Sequence, residues 1–250
     1  MQYKFVKEQQ NYSDFASGRV FHSLPGHPAF PVRLASEIFQ RCIARREEIY
    51  QDKTRSVLYD PCCGAAYHLS VLTHLHRKHI REVIGSDIGE KAVEVAQRNL
   101  EMVNAAGLDK RIEEISEMVE QYGKASHKDA LESAQILRNR AKPMEQAYPV
   151  TSRVFRANAT NLKQIASSLK ARSVDIVFTD LPYGFHSDWA GSETKNPAQA
   201  MLEALLEVLS PSSIVAVASD KKQKAAHEGY QRIERFQVGK RQVVILKPDG

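Results

Sequence analysis

Asp180-Leu181-Pro182-Tyr183-Gly184 carries the residue types best suited to chemistry in this chain. The Asp180 carboxylate accepts a hydrogen bond from an exocyclic amine on a planar base. A carbonyl preceding or within the Leu-Pro pair accepts a second, and Pro182 fixes its direction. Tyr183 offers a flat face for stacking, worth about 1–3 kcal/mol per base in nucleic-acid sites. Gly184 lets the chain turn away without a clash. Two acceptors on one amine aim its nitrogen lone pair at an electrophile, so positioning carries the reaction and no covalent nucleophile is needed. Over these five residues alone, a solvated Asp-Pro turn beside a core tyrosine reads equally well.

A second set of residues has the pattern of a cofactor cradle. Ser56-Val57-Leu58-Tyr59-Asp60 reads as a strand, Pro61-Cys62-Cys63-Gly64-Ala65-Ala66 as a loop of mostly small residues, and 67–78 as a helix. Small residues let the backbone approach a ligand, and the helix start offers N–H donors. Residues 82–87 form a second strand that ends in Asp87. An acid there accepts hydrogen bonds from ribose hydroxyls, and its distance from Gly64 fits the roughly 20 residues of such folds. The plainer role for Asp87 is to cap the helix over 89–103. Asn158-Ala159, after a third strand over 152–158, falls where an adenine ring would be contacted, although Asn158 also suits a turn.

These groups need a parallel sheet to bring them together. Residues 174–179 form an apolar, β-branched run ahead of Asp180, the pattern of a strand buried on both faces. Ligands bind at the carboxyl ends of such strands. A helix over 32–50 precedes the first strand, and helices over 161–169 and 197–209 flank the fourth. A fifth strand covers 214–219. Residues 230–237 and 239–247 read as an antiparallel hairpin. Residues 104–148 are an insertion of two or three charged amphipathic helices ending at Pro143, set against the sheet edge or in a substrate surface. Two units result: an N-terminal arm and helix over 1–55, and an α/β domain over 56–250. Residues 185–196, with His186 and Trp189, are placed to close over a target base.

Composition narrows the classes. The 250 residues are 42% hydrophobic and 26% charged, ordinary for a globular chain. No apolar run nears the roughly 18 residues of a membrane span, and the N-terminus has no signal-peptide pattern. A cytoplasmic protein is expected. Three cysteines, two of them adjacent, make neither a disulfide framework nor a metal site, so no metal is expected. The formal charge of +5 is uneven: residues 1–55 hold nine Lys/Arg against six Asp/Glu, and 219–250 hold eight against four. Basic ends around a near-neutral middle suit a polyanionic partner. Lys221, Lys222 and Lys224 are the best local phosphate contacts, with Arg33 a further candidate.

Asp180-Leu-Pro-Tyr183 resembles the fourth motif of amino-methyltransferases, (D/N/S)-P-P-(Y/F/W), with Leu181 in place of the first proline. The element order resembles a class I S-adenosylmethionine methyltransferase, which implies a Rossmann-like, mostly parallel seven-stranded sheet with an antiparallel last strand. Leu24-Pro-Gly-His-Pro-Ala-Phe-Pro-Val-Arg-Leu-Ala-Ser-Glu-Ile-Phe-Gln-Arg41, Asp60-Pro-Cys-Cys-Gly64 and Thr179-Asp-Leu-Pro-Tyr-Gly184 are similar to the avilamycin-resistance rRNA methyltransferase family, AviRa. That resemblance spans most of the chain. It implies a monomer that uses S-adenosylmethionine to methylate a guanine of large-subunit ribosomal RNA at the exocyclic N2. The cofactor set would be Asp60, Cys62, Gly64, Ala66, Asp87, Asn158 and Ala159; Asp180, Pro182 and Tyr183 would hold the base. Ala65-Ala66 stands where the family has Ser-Gly, and Asn158 where it has Asp; both departures bear on cofactor affinity. They keep open a non-catalytic RNA-binding module on the same fold. A cytosine-C5 enzyme would use Cys62 as nucleophile, but that residue follows the first strand, not the fourth. A dinucleotide oxidoreductase shares the Gly64 and Asp87 pattern but not the Asp180 loop.

Overall fold

The β-branched runs form the strands expected of them. The computed structural model describes residues 3–182, 189, 194, 196–221 and 223–249. In chain order the elements are α1 (Val32–Tyr50), β1 (Ser56–Asp60), α2 (Tyr67–His76), β2 (Ile80–Asp87), α3 (Glu90–Glu101), α4 (Ala105–Tyr122), α5 (Ala125–Ala147) and β3 (Thr151–Arg156). They continue with α6 (Leu162–Ser168), β4 (Val174–Asp180), α7 (Pro197–Leu205), β5 (Leu209–Asp220), β6 (Tyr230–Val238) and β7 (Arg241–Pro248). The sheet order is β3-β2-β1-β4-β5-β7-β6. β7 runs antiparallel to both β5 and β6, and the other pairs are parallel.

Alternation along the strands makes two cores. Leu58, Ile176, Phe178, Ile214 and Ala216 face α1, α2 and α3. Val57, Tyr59, Val177, Val215 and Val217 face α6 and α7. Because α1 supplies Leu34, Ala35, Ile38, Phe39 and Cys42 to the first of these cores, it is one of the layers. Leu209 begins β5 instead of ending α7.

The insertion is two helices. α5 continues through Pro143 to Ala147. Proline removes one backbone hydrogen bond, but the last turn is held from outside: Glu145 accepts from the Ala105 N–H at 2.9 Å, and Tyr148 N–H bonds Met144 O at 2.8 Å. The pair does not cover the sheet edge. Leu108, Ile115, Ala134 and Leu137 pack with Phe15 and Phe21 of the arm and Tyr67 and Val71 of α2, in a cluster that takes no strand residue.

The arm is fixed by charge. Glu37 is fully buried and accepts the N–H groups of Lys4, Phe5 and Val6 at 2.7, 2.9 and 2.9 Å, with Arg41 as counter-ion. Those bonds hold its carboxyl below the usual range despite its burial.

Candidate active site

Strand order reverses between β1 and β4, and ligands of open α/β sheets bind at that switch point. A cavity of about 820 Å³ lies there, at the carboxyl ends of both strands. Cys62, Gly64, Asp87, Asn158, Ala159, Asp180 and Pro182 are on its wall, so seven candidates far apart in sequence meet around one space. Trp189 lines it too. Tyr183, His186 and Lys222 lie outside the described residues.

Hydrogen bonds join the loop after β1 to the end of β2. Gly64 N–H donates to Asp87 Oδ2 at 2.9 Å, and Gly89 N–H to Asp87 Oδ1 at 2.9 Å. Gly89 is the N-cap of α3, so Asp87 does not cap the helix but closes the turn ahead of it and braces the β1 loop, and each oxygen keeps a lone pair for a hydroxyl. Asn158 Oδ1 closes its own turn onto Thr160 N and Oγ1, both at 2.9 Å, while the residue stays on the cavity wall. Gly64 has φ +52°, and a Cβ there would stand 3.2 Å from His27 Cδ2.

Two members of the cofactor set are not on the wall. Ala66 is fully buried and faces away from the cavity, with its carbonyl accepting Ser70 N–H and Oγ at 3.0 Å each. It is also left-handed (φ +53°), a strain of about 1–2 kcal/mol for a residue with a Cβ. Asp60 is fully buried beneath the loop, where Oδ1 accepts the Cys62 N–H at 2.9 Å. Its Oδ2 is 3.2 Å from His68 Nε2 but outside hydrogen-bond geometry.

The β4 end of the cavity carries an unsatisfied acceptor. Asp180 Oδ1 is buried without a hydrogen-bond partner among the described residues. Such atoms cost about 1–3 kcal/mol each and are uncommon in folded proteins. Burial pushes the Asp180 carboxyl up to about 6, against Arg241 and His68, which favour its charge. Arg241 Nη2 is 3.6 Å from Asp180 Oδ2. Burial pushes Asp60 up to about 7; the Thr179 hydroxyl and the Cys62 N–H oppose this, while the charge of Asp87 adds to it. Cys62 is no nucleophile: burial and the carboxylates of Asp60, Asp87 and Asp180 push its thiol well up, so the thiolate is scarce.

The Pro182 carbonyl accepts from Gln223 Nε2 at 2.9 Å, which takes one lone pair of the acceptor proposed for the amine. Lys221 and Lys224 flank Gln223 and are exposed. Arg33, a candidate phosphate contact, holds the arm instead: Nε and Nη2 donate to Val6 O at 3.1 and 2.9 Å, and Nη2 to Lys7 O at 2.8 Å. Sequence reasoning passed over His68, Arg241 and Gln223. Only His68 left a signal, as a polar residue at the start of an apolar helix whose neighbours are all buried.

A seven-stranded sheet of this order, with an acid-braced small-residue loop and an Asp-Leu-Pro segment at the switch point, defines a Rossmann-like class I methyltransferase. The family model described as rRNA methyltransferase AviRa matches residues 1–241, and the chain belongs to that family. It is 37% identical, over 98% of its length and 95% of the relative's, to a protein of Streptomyces viridochromogenes named 23S rRNA (guanine(2535)-N(1))-methyltransferase. Its fold matches a 1.5 Å structure of rRNA methyltransferase aviRa from the same organism at TM-score 0.87 and 35% identity, covering 98% of this chain and 96% of that one. TrmN from Thermus thermophilus is similar at TM-score 0.50 and 14% identity, over 89% of this chain and 50% of that one, a likeness of fold alone. The relative's name specifies guanine N1, so the expectation of transfer to N2 is not supported. No helix among the described residues is long and apolar enough to cross a membrane.

Proposed function

We propose that this chain transfers a methyl group from S-adenosylmethionine to N1 of a guanine in 23S ribosomal RNA. One observation supports it above the others: Asp180, at the cavity end of β4, has a buried oxygen without a hydrogen-bond partner among the described residues, and burial raises its basicity. Guanine N1 carries a proton, and its lone pair is delocalised into the ring carbonyl. It becomes nucleophilic only as that proton leaves. An exocyclic amine could be methylated by positioning alone; N1 needs a base within reach.

The bound cofactor supplies an electrophilic methyl on a sulfonium. The chain's residues do the rest. Asp87 and the Gly64 loop form the cradle, with Asn158 and Ala159 beside them. With S-adenosylmethionine held there, Asp180 would take the N1 proton as the methyl group passes from the sulfonium to that nitrogen. The products are N1-methylguanine, S-adenosylhomocysteine and a proton that leaves Asp180 for solvent. General bases of this kind contribute about 10²–10⁴-fold. Arg241 steadies the Asp180 carboxylate, and Gln223 holds the Pro182 carbonyl so that the loop keeps its direction. The target base must be unstacked to reach the cavity, and Lys221, Lys222 and Lys224 are the proposed phosphate contacts. Tyr183 is the proposed stacking surface. The proposed setting is a cytoplasmic monomer acting on the large subunit's RNA.

The test is labelled-methyl transfer to ribosomal RNA, with digestion of the product to nucleosides. N1-methylguanosine is the expected product, and reverse transcription should stop at the modified base because its pairing edge is blocked. N2-methylguanosine would overturn the choice of atom. No incorporation into any ribosomal RNA would overturn the activity.

A further inference from the structure

Residues 22–30 precede every element of the sheet, yet His22, Leu24, His27 and Phe30 all line the cavity. We propose that this segment is the outer wall of the cofactor half, that His27 contacts the cofactor, and that Asn99 is the positioning residue that holds the wall. The inference rests on the reading of the cavity as a site for S-adenosylmethionine.

The sequence builds a rigid device. Leu24-Pro25-Gly26-His27 has proline second and glycine third, and Gly26 has φ +81°, as a type II turn requires. His27 N–H closes it onto Leu24 O at 3.0 Å. The ring is then fixed by its own turn: Nδ1 lies 3.3 Å from Pro25 O, and because a carbonyl only accepts, Nδ1 is the donor and Nε2 the acceptor. The ring rests against the Gly64 backbone, closely enough that a side chain there would meet it. An acceptor at this place suits the hydroxyl and ammonium groups of a nucleoside-amino-acid cofactor.

Three attachments hold the turn in place. Asn99, on α3, is fully buried. Its Oδ1 accepts the His22 N–H at 2.8 Å, and its Nδ2 donates to His22 O at 2.9 Å and to Ala65 O at 2.8 Å. One side chain thus ties the wall to the cofactor loop. Leu24 packs with Ala65 of that loop and Ala92 of α3, which gives the Ala65 methyl a packing role. At the other end Phe30 is buried, edge-on to Phe178 at 5.4 Å and 5.9 Å from His68. The wall therefore spans from the cofactor loop to the residue two places before Asp180.

The experiment is calorimetric titration of the full chain with S-adenosylhomocysteine, with melting temperature followed in parallel. His27 is exposed, so His27→Ala should leave the melting temperature within about a degree while weakening binding about tenfold. His27→Gln keeps a hydrogen-bonding end and should recover most of that loss. Asn99→Ala should weaken binding by more than tenfold, with faster dissociation and a lower melting temperature. A His27→Ala protein that binds within twofold of the unaltered chain overturns the contact. An Asn99→Ala protein that melts lower yet binds normally overturns the positioning role. An unaltered chain that fails to bind the ligand overturns the cofactor reading itself, and this inference with it.

Discussion

Asp175 and Asp180 lie on one seven-residue strand, β4, near its opposite ends. Asp175 is saturated. Its Oδ2 accepts the Val57 N–H and Arg81 Nη2, both at 2.8 Å, and its Oδ1 accepts Ser210 Oγ at 2.9 Å and Arg46 Nη2 at 3.3 Å. Arg46 is itself buried and reaches on to Asp52, Thr54 and Ser212. Among the described residues Asp180 has one ion pair, at 3.6 Å, and an oxygen with no hydrogen-bond partner. Both carboxylates are largely removed from water, so burial does not separate them. What separates them is spare bonding capacity. A carboxylate with its four lone-pair sites taken is part of the frame; one with capacity left at a cavity is available to a ligand.

The sharpest way to break this contrast is Asp180→Asn. It should lower methyl transfer by about 10²–10⁴-fold, the worth of a general base, while the protein stays folded. A single-turnover assay with labelled cofactor measures this, and near-normal turnover would remove Asp180 as the base. Asp175→Asn should do the reverse. Arg81 loses its carboxylate partner and Arg46 keeps only Asp52, and buried donors left short of an acceptor cost about 1–3 kcal/mol. Chemical denaturation should show that loss, while turnover per folded molecule is retained.

The pH dependence sharpens the comparison further. The Asp180 carboxyl titrates near about 6 in the folded chain against a usual 3.8, so the folded state binds its proton more tightly. Its ionised form is therefore a cost to folding at neutral pH. The cost is relieved as pH falls through about 6 and is gone below 3.8. Asp180→Asn should thus raise stability at pH 8 by about 3 kcal/mol, with no gain left near pH 4. Activity runs the other way: turnover should fall as pH drops through about 6, when the base becomes protonated. Denaturation curves at the two pH values and a pH–rate profile test both.

Ala66→Gly should stabilise the chain by about 1 kcal/mol through release of left-handed strain, visible in thermal melts. Because Ala66 faces away from the cavity, cofactor affinity should hardly change. Replacing Lys221 and Lys224 by Gln should have the smallest effect. RNA affinity should fall modestly, and the slope of log affinity against log salt should flatten by about one for each lysine.

Much of this was legible in the chain. The Gly64–Asp87 spacing became a 2.9 Å hydrogen bond, and the residues around Asp180 formed a strand end at the switch point. Boundaries failed where a tertiary contact outweighed a local rule, as at Pro143, whose helix turn is held by Ala105. Arg33 was misleading because its partners are carbonyls of the arm, 26 and 27 residues earlier, which no local pattern announces. His68, Arg241 and Gln223 converge on the Asp180 loop from α2, from β7 and from the segment after β5. No spacing rule links those positions.

The sequence alone determined the parallel sheet, the small-residue loop after β1, the Asp-Leu-Pro segment after β4 and the basic ends. Each is written in local periodicity, turn chemistry or composition, over a few adjacent residues. Only the tertiary structure decided which aspartate is spent and which is available, which alanine faces the cavity, and that the arm walls the site. Those properties depend on where distant donors finish in space, and a residue's hydrogen-bonding partners are set by the packing of the whole chain.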